Sequence, residues 1–458
     1  MTFALFAGLA GFALAAFSPG LLNDGDTYWH IRAGEWMLAH HAVLRSDVFS
    51  TTMAGAPWHT QEWLAEIVMA LTWRLRGWAG IHLVFAVCAG LTASVVGFHV
   101  RKRVDMIPAL LTVVLGLCCI TTSLLARPHM LALPLLAIWT AGLAAAREKK
   151  EAPTCWLVPL IPLWANLHGS FAFGLALAGA LGVEAVIEAR DRKRAAMRWT
   201  LFLLAATVSA MATPFGFHTM LFPFQLSGMQ GLAFIGEWQQ ADFSHLSPFA
   251  ITLLVGFFVL GSGKVKVPPL RLLLLIGLVW LAMSHTRHQM LLGVTAPILL
   301  APFLGKGWPA REQAPSRLLG PVAAVLLLAM IGARLMFPVA RGDGPVTPAS
   351  ALAHVPQSLR QTPVLNGYGF GGYLIWNGVK VYIDSRADLY GDTFLQNYAA
   401  IISPDRDMLS QELAAHRTGW TILPAGTPVA KLMDSMPGWE RLYSDKIATV
   451  HVRAGMHP

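Results

Sequence analysis

Apolar residues run along this chain in stretches of roughly twenty, close to the length a helix needs to cross a hydrocarbon core, with short polar segments between them. Eleven such runs stand out: 2–22, 79–99, 106–125, 130–146, 155–167, 169–188, 199–213, 248–262, 268–284, 289–304 and 317–338. Peptide groups find no water partner in lipid, so each run is expected to be a helix. The fifth is short, and Pro159 and Pro162 interrupt it, so it is expected to be broken. The first carries a cleavage-like Ala13-Leu14-Ala15. It lacks the basic start of a signal peptide, however, and is read as a retained span.

Two segments depart from this pattern. Residues 340–458 are more polar and alternate strand-like with helix-like stretches. Strands are expected at 363–366, 380–384, 418–423 and 448–452, with a short helix over 371–376, which together make a small α/β layer. Gly367, Gly369 and Gly372 imitate a dinucleotide fingerprint, but the strand–helix–strand unit is too short for one. Close packing is the better reading of these glycines, and bracing of the domain that of Asp384, Arg386 and Asp388. In residues 23–78, Asp24-Gly25-Asp26 follows the first run directly. Trp29, Ala33, Trp36, Met37 and His40 then recur at helical spacing, as in a helix lying at a membrane interface. Asp47-Val48-Phe49-Ser50 and Ala56-Pro57-Trp58 read as turns, and a second amphipathic helix is expected from about Thr60 through Trp63 and Ile67.

Composition agrees with a polytopic membrane protein: 55% of residues are hydrophobic and 13% charged, against roughly 25% charged in soluble domains. The net charge of +9 first suggests nucleic acid, but no basic groove or motif supports that partner. The cations fall instead in every second loop: Arg101-Lys102-Arg103; Arg147, Lys149 and Lys150; Arg190 to Arg198; Lys264 and Lys266; Lys306 and Arg311. By the positive-inside rule these loops are cytoplasmic. The expectation is an α-helical polytopic membrane protein of about 11 transmembrane helices, N-terminus in and C-terminus out, with a small C-terminal α/β extracytoplasmic domain. Residues 1–339 form its membrane domain, with a large first external loop over 23–78, and 340–458 its external domain. The four cysteines lie in apolar runs without metal-site spacing and read as small hydrophobic residues.

The opposite loops carry the chemistry-capable residues. They hold Asp24, Asp26, His30, Glu62 and Glu66 in the first loop, then Arg127 and His129, Asn166 and His168, Glu237, and His285, Arg287 and His288. Ionisable groups at membrane depth are costly and mark functional sites, so one external site is expected. Two carboxylates one residue apart, Asp24 and Asp26, suit a general base or a divalent metal. The histidines lack metalloprotease-like spacing.

A family resemblance rests on Asp24-Gly25-Asp26-Thr27-Tyr28-Trp29-His30, Asp47-Val48-Phe49-Ser50, Glu62-Trp63-Leu64-Ala65-Glu66, Arg127-Pro128-His129 and Trp164-Ala165-Asn166-Leu167-His168-Gly169. Thr213-Pro214-Phe215-Gly216, Glu237-Trp238, Arg287-His288, Gly371-Gly372-Tyr373-Leu374 and Ile383-Asp384-Ser385-Arg386 extend it over nearly the whole chain. The chain resembles a bacterial membrane-protein branch grouped with GT-C-type glycosyltransferases. That resemblance implies an inverting glycosyltransferase taking its sugar from a polyprenyl-phosphate-linked donor at the outer face. It further implies an external Asp as base, Asp26 or Asp24, which in some branches also holds a metal; the usual Asp-Glu pair of several branches is Asp24-Gly25-Asp26 here. The anionic leaving group would call on Arg127 and Arg287, whose forks match phosphate, with His30, His129, Asn166, His168, Glu237 and His288 completing substrate binding. The implied partners are the lipid-linked sugar, membrane lipids and a glycan, lipid or protein acceptor. The implied location is the bacterial inner membrane with its active site facing the periplasm. Two other readings share these residues: a flippase or transporter for a lipid-linked glycan, and a glycan polymerase or ligase.

Overall fold

A computed structural model describes the chain apart from residues 235, 312–317, 338, 340, 404 and 456–458. Its residues pack into two compact units.

The first unit comprises Met1–Leu21, Leu75–Gln225 and Ala233–Pro338. Each of the eleven apolar runs is helical over most of its length. Five helices among the described residues are long and apolar enough to cross a membrane: Trp63–Arg101, Pro128–Lys149, Phe171–Glu188, Thr286–Gly307 and Leu319–Met336. The fifth run is broken as expected, a 3-10 turn at Cys155–Leu157 preceding a helix over Leu160–Leu167. Trp63–Arg101 carries a non-helical break at Gly77, whose φ of 55° is a conformation that glycine tolerates. Small residues let helices meet backbone to backbone. A Cβ on Gly116 would stand 2.6 Å from the carbonyl oxygen of Gly293, and one on Gly293 would stand 2.5 Å from that of Gly116, so Met106–Thr121 and Gln289–Gly307 touch there. The buried Arg271 makes a forked contact with Glu184 at 3.0–3.1 Å and donates to the carbonyl of Leu299.

The second unit comprises Leu22–Arg74, Leu226–Leu232 and Val339–Pro458. The sequence expectation counted 23–78 with the membrane domain; in the structure, 22–74 pack with the C-terminal residues. Four strands, β1 (Val364–Asn366), β2 (Trp420–Pro424), β3 (Trp439–Ser444) and β4 (Ala448–Arg453), make one sheet in the order β1-β2-β4-β3. β1 runs parallel to β2, and the other pairings are antiparallel. Three of these strands are among those the sequence predicts. β3 was not predicted, since as a largely exposed edge strand it shows no continuous apolar run.

The strand predicted at 380–384 does not join the sheet. Its backbone groups bond elsewhere: Val381 N–H to the Phe49 carbonyl, Thr51 N–H to the Val381 carbonyl, and Tyr382 N–H to Asn366 Oδ1. The helix predicted to lie at a membrane interface is present over Asp26–His40, but its apolar face meets protein. Trp29, Ala33 and Met37 share one core with Trp58, Leu352, Leu374, Trp420 and Val450. The glycines of the apparent dinucleotide fingerprint serve that packing. A Cβ on Gly372 would lie 1.9 Å from the Gly25 carbonyl oxygen, so helix Gly371–Trp376 sits directly on the start of Asp26–His40.

Candidate active site

In the first unit, Arg127 is the residue before helix Pro128–Lys149, where Pro128 at the first helical position holds it extended. Arg287 lies in the 3-10 turn Thr286–His288, between two apolar helices, and Glu237 in the turn Gly236–Trp238. The carboxylate of Glu237 joins the two arginines: Arg127 Nη1 donates to Oε2 at 2.6 Å and Arg287 Nη1 to Oε1 at 3.1 Å. Thr286 fixes the loop by donating its hydroxyl to the Glu237 carbonyl at 3.0 Å. The Arg287 guanidinium lies 4.4 Å from the centre of the Trp238 ring, a cation–π distance. Burial pushes the Glu237 carboxyl up, but Arg127 and Arg287 outweigh it and hold it below its ordinary value, so it is ionised at neutral pH.

These groups wall a cavity of about 360 Å³, together with Thr122, Ser123, His129 and Met290. Its wall carries two cations paired to one anion, and hydroxyl and imidazole groups supply neutral hydrogen bonding. His129 Nε2 donates to the Ser123 carbonyl at 2.8 Å, which places the ring proton on Nε2 if the ring is neutral. Its ring centre lies 6.0 Å from that of His168. His168 Nδ1 accepts from Ser170 N–H, and the Ser170 hydroxyl in turn accepts from Trp164 Nε1. Asn166 donates to the carbonyls of Pro162 and Ala212, a bracing role for its amide nitrogen. His285 and His288 stack 5.3 Å apart against Trp238, and the Nδ1 atoms of both are buried without a hydrogen-bond partner among the described residues.

The second unit holds the acidic motif. Asp24 Oδ1 accepts from Asp26 N–H at 3.1 Å, at the start of helix Asp26–His40. The Asp26 carboxylate accepts a short hydrogen bond from the Ser385 hydroxyl, which itself accepts from Trp29 Nε1 at 3.0 Å. Asp26 is thereby oriented by a residue 359 positions away, and both carboxylates are largely buried. One turn further on, His30 Nδ1 meets Glu66 at 3.1 Å, and its Nε2 lies 3.8 Å from Glu62. Beside them stands a closed network. Arg386, 1% exposed, forks onto Asp384 at 2.8 and 2.6 Å and donates to Asp47 at 2.6 Å. Asp47 also accepts from Ser50 N–H and Oγ, Asp384 from the Tyr390 hydroxyl, and Asp388 from Trp58 Nε1. Burial pushes the Asp47 carboxyl up, but Arg386 and the Ser50 bonds outweigh it and hold it below its ordinary value.

The residues singled out from sequence thus form two groups. Arg127, His129, Glu237, Arg287 and His288 gather in the first unit with His168 near His129, and Asp24, Asp26 and His30 share one helix start in the second. Among the described residues, no group of three or more His, Cys, Asp or Glu side chains is placed to hold a metal ion. Asp24 and Asp26 therefore find no third ligand of that kind among the described residues. Sequence reasoning did not single out Trp238, Thr286 or Ser385 as functional. Ser385 lies within the Ile383-Asp384-Ser385-Arg386 run and Trp238 beside Glu237, both in matched motifs, and that was the available signal.

Several helices able to cross a membrane and a small C-terminal sheet define a mostly helical, multi-pass membrane fold. Two solved structures share it. One is the archaeal oligosaccharyltransferase AglB from Archaeoglobus fulgidus in complex with an inhibitory peptide and a dolichol-phosphate, with a TM-score of 0.54 and 9% identity over 99% of this chain and 74% of that one. The other is the Archaeoglobus fulgidus oligosaccharyltransferase in the apo form, with a TM-score of 0.53 and 11% identity over the same shares. No protein-family model matches the chain, and no curated protein matches it in sequence.

Proposed function

We propose that this chain is an inverting glycosyltransferase of the bacterial inner membrane, moving a sugar from a polyprenyl-phosphate-linked donor to a glycan, lipid or protein acceptor on the extracytoplasmic face. The observation that carries this reading is the cavity of the first unit, where Arg127 and Arg287 share the single carboxylate of Glu237. An excess of guanidinium on a cavity wall is a site for an anion, and a fork matches phosphate oxygens. The fold shared with AglB, solved with a dolichol-phosphate, supports a lipid-linked phosphate as that anion.

In this reading Arg127 and Arg287 hold the donor phosphate and stabilise the charge it gains on leaving. The resemblance to GT-C-type enzymes assigns the proton of the acceptor hydroxyl to Asp26, in the second unit. The hydroxyl oxygen then attacks the anomeric carbon from the face opposite the phosphate, the bond from that carbon to the phosphate oxygen breaks, and the configuration inverts. Asp26 is favoured over Asp24 because Ser385 orients its carboxylate, whereas Asp24 accepts the backbone N–H that opens the helix. Ser46 and the basic loop at Ala195 lie on opposite sides of the bilayer, with Ser46 outside.

The test is transfer from a polyprenyl-phosphate-linked sugar by the purified chain. Asp26→Asn should lower the rate by about 10²–10⁴ while leaving insertion and thermal unfolding unchanged, since Asn keeps the shape but takes no proton. If well-folded Asp24→Asn and Asp26→Asn variants both turn over normally, the base lies elsewhere and the reading loses its chemistry. A cysteine at Ser46 should react with a membrane-impermeant thiol reagent in intact cells, and one at Ala195 should not. The reverse pattern would turn the arginine cavity toward the cytoplasm.

A further inference from the structure

At the other charged end of the first unit, helices Thr2–Ala16, Trp63–Arg101, Met106–Thr121 and Leu319–Met336 border a second groove of about 630 Å³. Its volume lies within the roughly 300–1,000 Å³ of small-molecule sites. Small residues leave it open. Ala4, Ala7 and Ala10, three residues apart on one helix, line it with methyl groups alone. Their helix cannot move in to fill the space, because its packing on Trp63–Arg101 is already at closest approach: a Cβ on Gly11 would stand 2.6 Å from the Ala89 carbonyl oxygen, and one on Gly97 2.8 Å from Ala7 Cβ. The facing wall is Leu110, Val113 and Leu117, on a helix that flanks the groove for about 16 Å from Met106 to Leu117.

Charge is confined to one end. Apart from Thr2, the polar residues lining the groove are Arg101 and Lys102. Arg101 is steadied by the carbonyls of Val104 and Arg311, both neutral acceptors. Among the described residues neither Arg101 nor Lys102 forms an ion pair, whereas the adjacent Arg103 is bound to Glu148 at 2.8 Å. An apolar slot capped by two cations that form no ion pair among the described residues matches one class of molecule found in every membrane, a lipid with a negative headgroup.

We infer that this groove is a binding site for one anionic phospholipid, its acyl chain along Ala4, Ala7, Leu110 and Leu117 and its phosphate against Arg101 and Lys102. The alanine methyls give the chain room that a larger side chain would remove, and the cations select the headgroup. This site is separate in residues and in charge from the arginine cavity, so it stands whatever the first unit transfers.

The test is native mass spectrometry of the full chain in detergent, offered equal amounts of phosphatidylglycerol and phosphatidylcholine with identical acyl chains. One phosphatidylglycerol should survive activation that strips phosphatidylcholine. Each neutralised cation should weaken that preference about fivefold, so Arg101→Gln with Lys102→Gln should lower it about 25-fold. Leu110→Trp, at a wall position that is 52% exposed, should fill the slot and abolish retention with both charges in place. Equal retention of the two lipids, or phosphatidylglycerol held unchanged in either the double variant or Leu110→Trp, overturns the proposal. Leu110→Trp keeps the test decisive if the double variant fails to fold.

Discussion

Each unit builds a cluster of arginine and carboxylate, and the two are opposites in stoichiometry. In the second unit one arginine, Arg386, is enclosed by two carboxylates, Asp47 and Asp384. Its faces are covered by Trp58 at 4.6 Å and Phe49 at 5.4 Å, and the carboxylates take further bonds from Ser50 and Tyr390. In the first unit two arginines share one carboxylate, and all three line a cavity with side chains 19–24% exposed. Buried charges must be paired and their remaining hydrogen bonds satisfied, and Arg386, Ser50 and Tyr390 supply those bonds to the two carboxylates. A cluster built to receive an anion must be left short of one. Burial and the sign of the surplus charge, negative and enclosed in the second unit but positive and on a cavity wall in the first, set the two clusters apart where sequence shows only Arg, Asp and Glu in both.

The sharpest way to break this comparison is to remove the arginine from each. Arg386→Ala strands two buried carboxylates and should destabilise the second unit by about 3–5 kcal/mol, measured by denaturant or thermal unfolding of the purified chain. Stability close to that of the unaltered protein would show that the network is no brace. Arg127→Ala and Arg287→Ala should leave unfolding nearly unchanged but weaken binding of polyprenyl phosphate by about 10- to 150-fold, the worth of a charge-assisted hydrogen bond. Unaltered binding in both would reduce them to interfacial arginines.

Removing the anion sharpens the contrast. Glu237→Gln releases both guanidinium groups from a carboxylate that competes with phosphate, so polyprenyl phosphate should bind tighter by about tenfold. Weaker binding instead would mean that Glu237 holds substrate or positions the arginines. Arg287→Lys keeps the charge while losing the fork and part of the contact with Trp238, so it should recover only part of the affinity lost in Arg287→Ala.

The smallest expected effect is the pH response. Asp47 is depressed in the fold, so its contribution is fully present above its ordinary value of 3.8 and is lost only as pH falls through the lower folded value. Asp388 in the same unit acts in the opposite sense, because burial raises its carboxyl to about 6, so stability followed from pH 6 to pH 3 should rise toward pH 4 as Asp388 is protonated, then weaken below about 4 as Asp47 is protonated. Glu237 is depressed from 4.5 in the same sense, so its pairing with the arginines should persist as pH drops through that value. A loss of stability centred near pH 6 would assign control to another group.

Helices were legible from sequence because lipid leaves an apolar backbone no alternative: every apolar run is helical, down to the break at Pro159. β1, β2 and β4 were legible because their buried runs are continuous, and β3 was not because its residues face outward at an edge. Arg127 and Arg287 each adjoin an end of an apolar run and could be placed from sequence, whereas Glu237 lies in the loop between the runs 199–213 and 248–262. Which groups pair could not be read. Glu237 meets arginines 110 and 50 residues away, Arg386 meets Asp47 across 339, and Ser385 meets Asp26 across 359. The apolar face of Asp26–His40 has the same periodicity whether it covers lipid or protein, and only packing against Leu374 and Trp420 decided for protein. Local periodicity follows from each residue's own solvation, so a single sequence carries it. Charge pairing and the partner of an apolar face depend on which distant segments meet, and that is settled only when the chain folds.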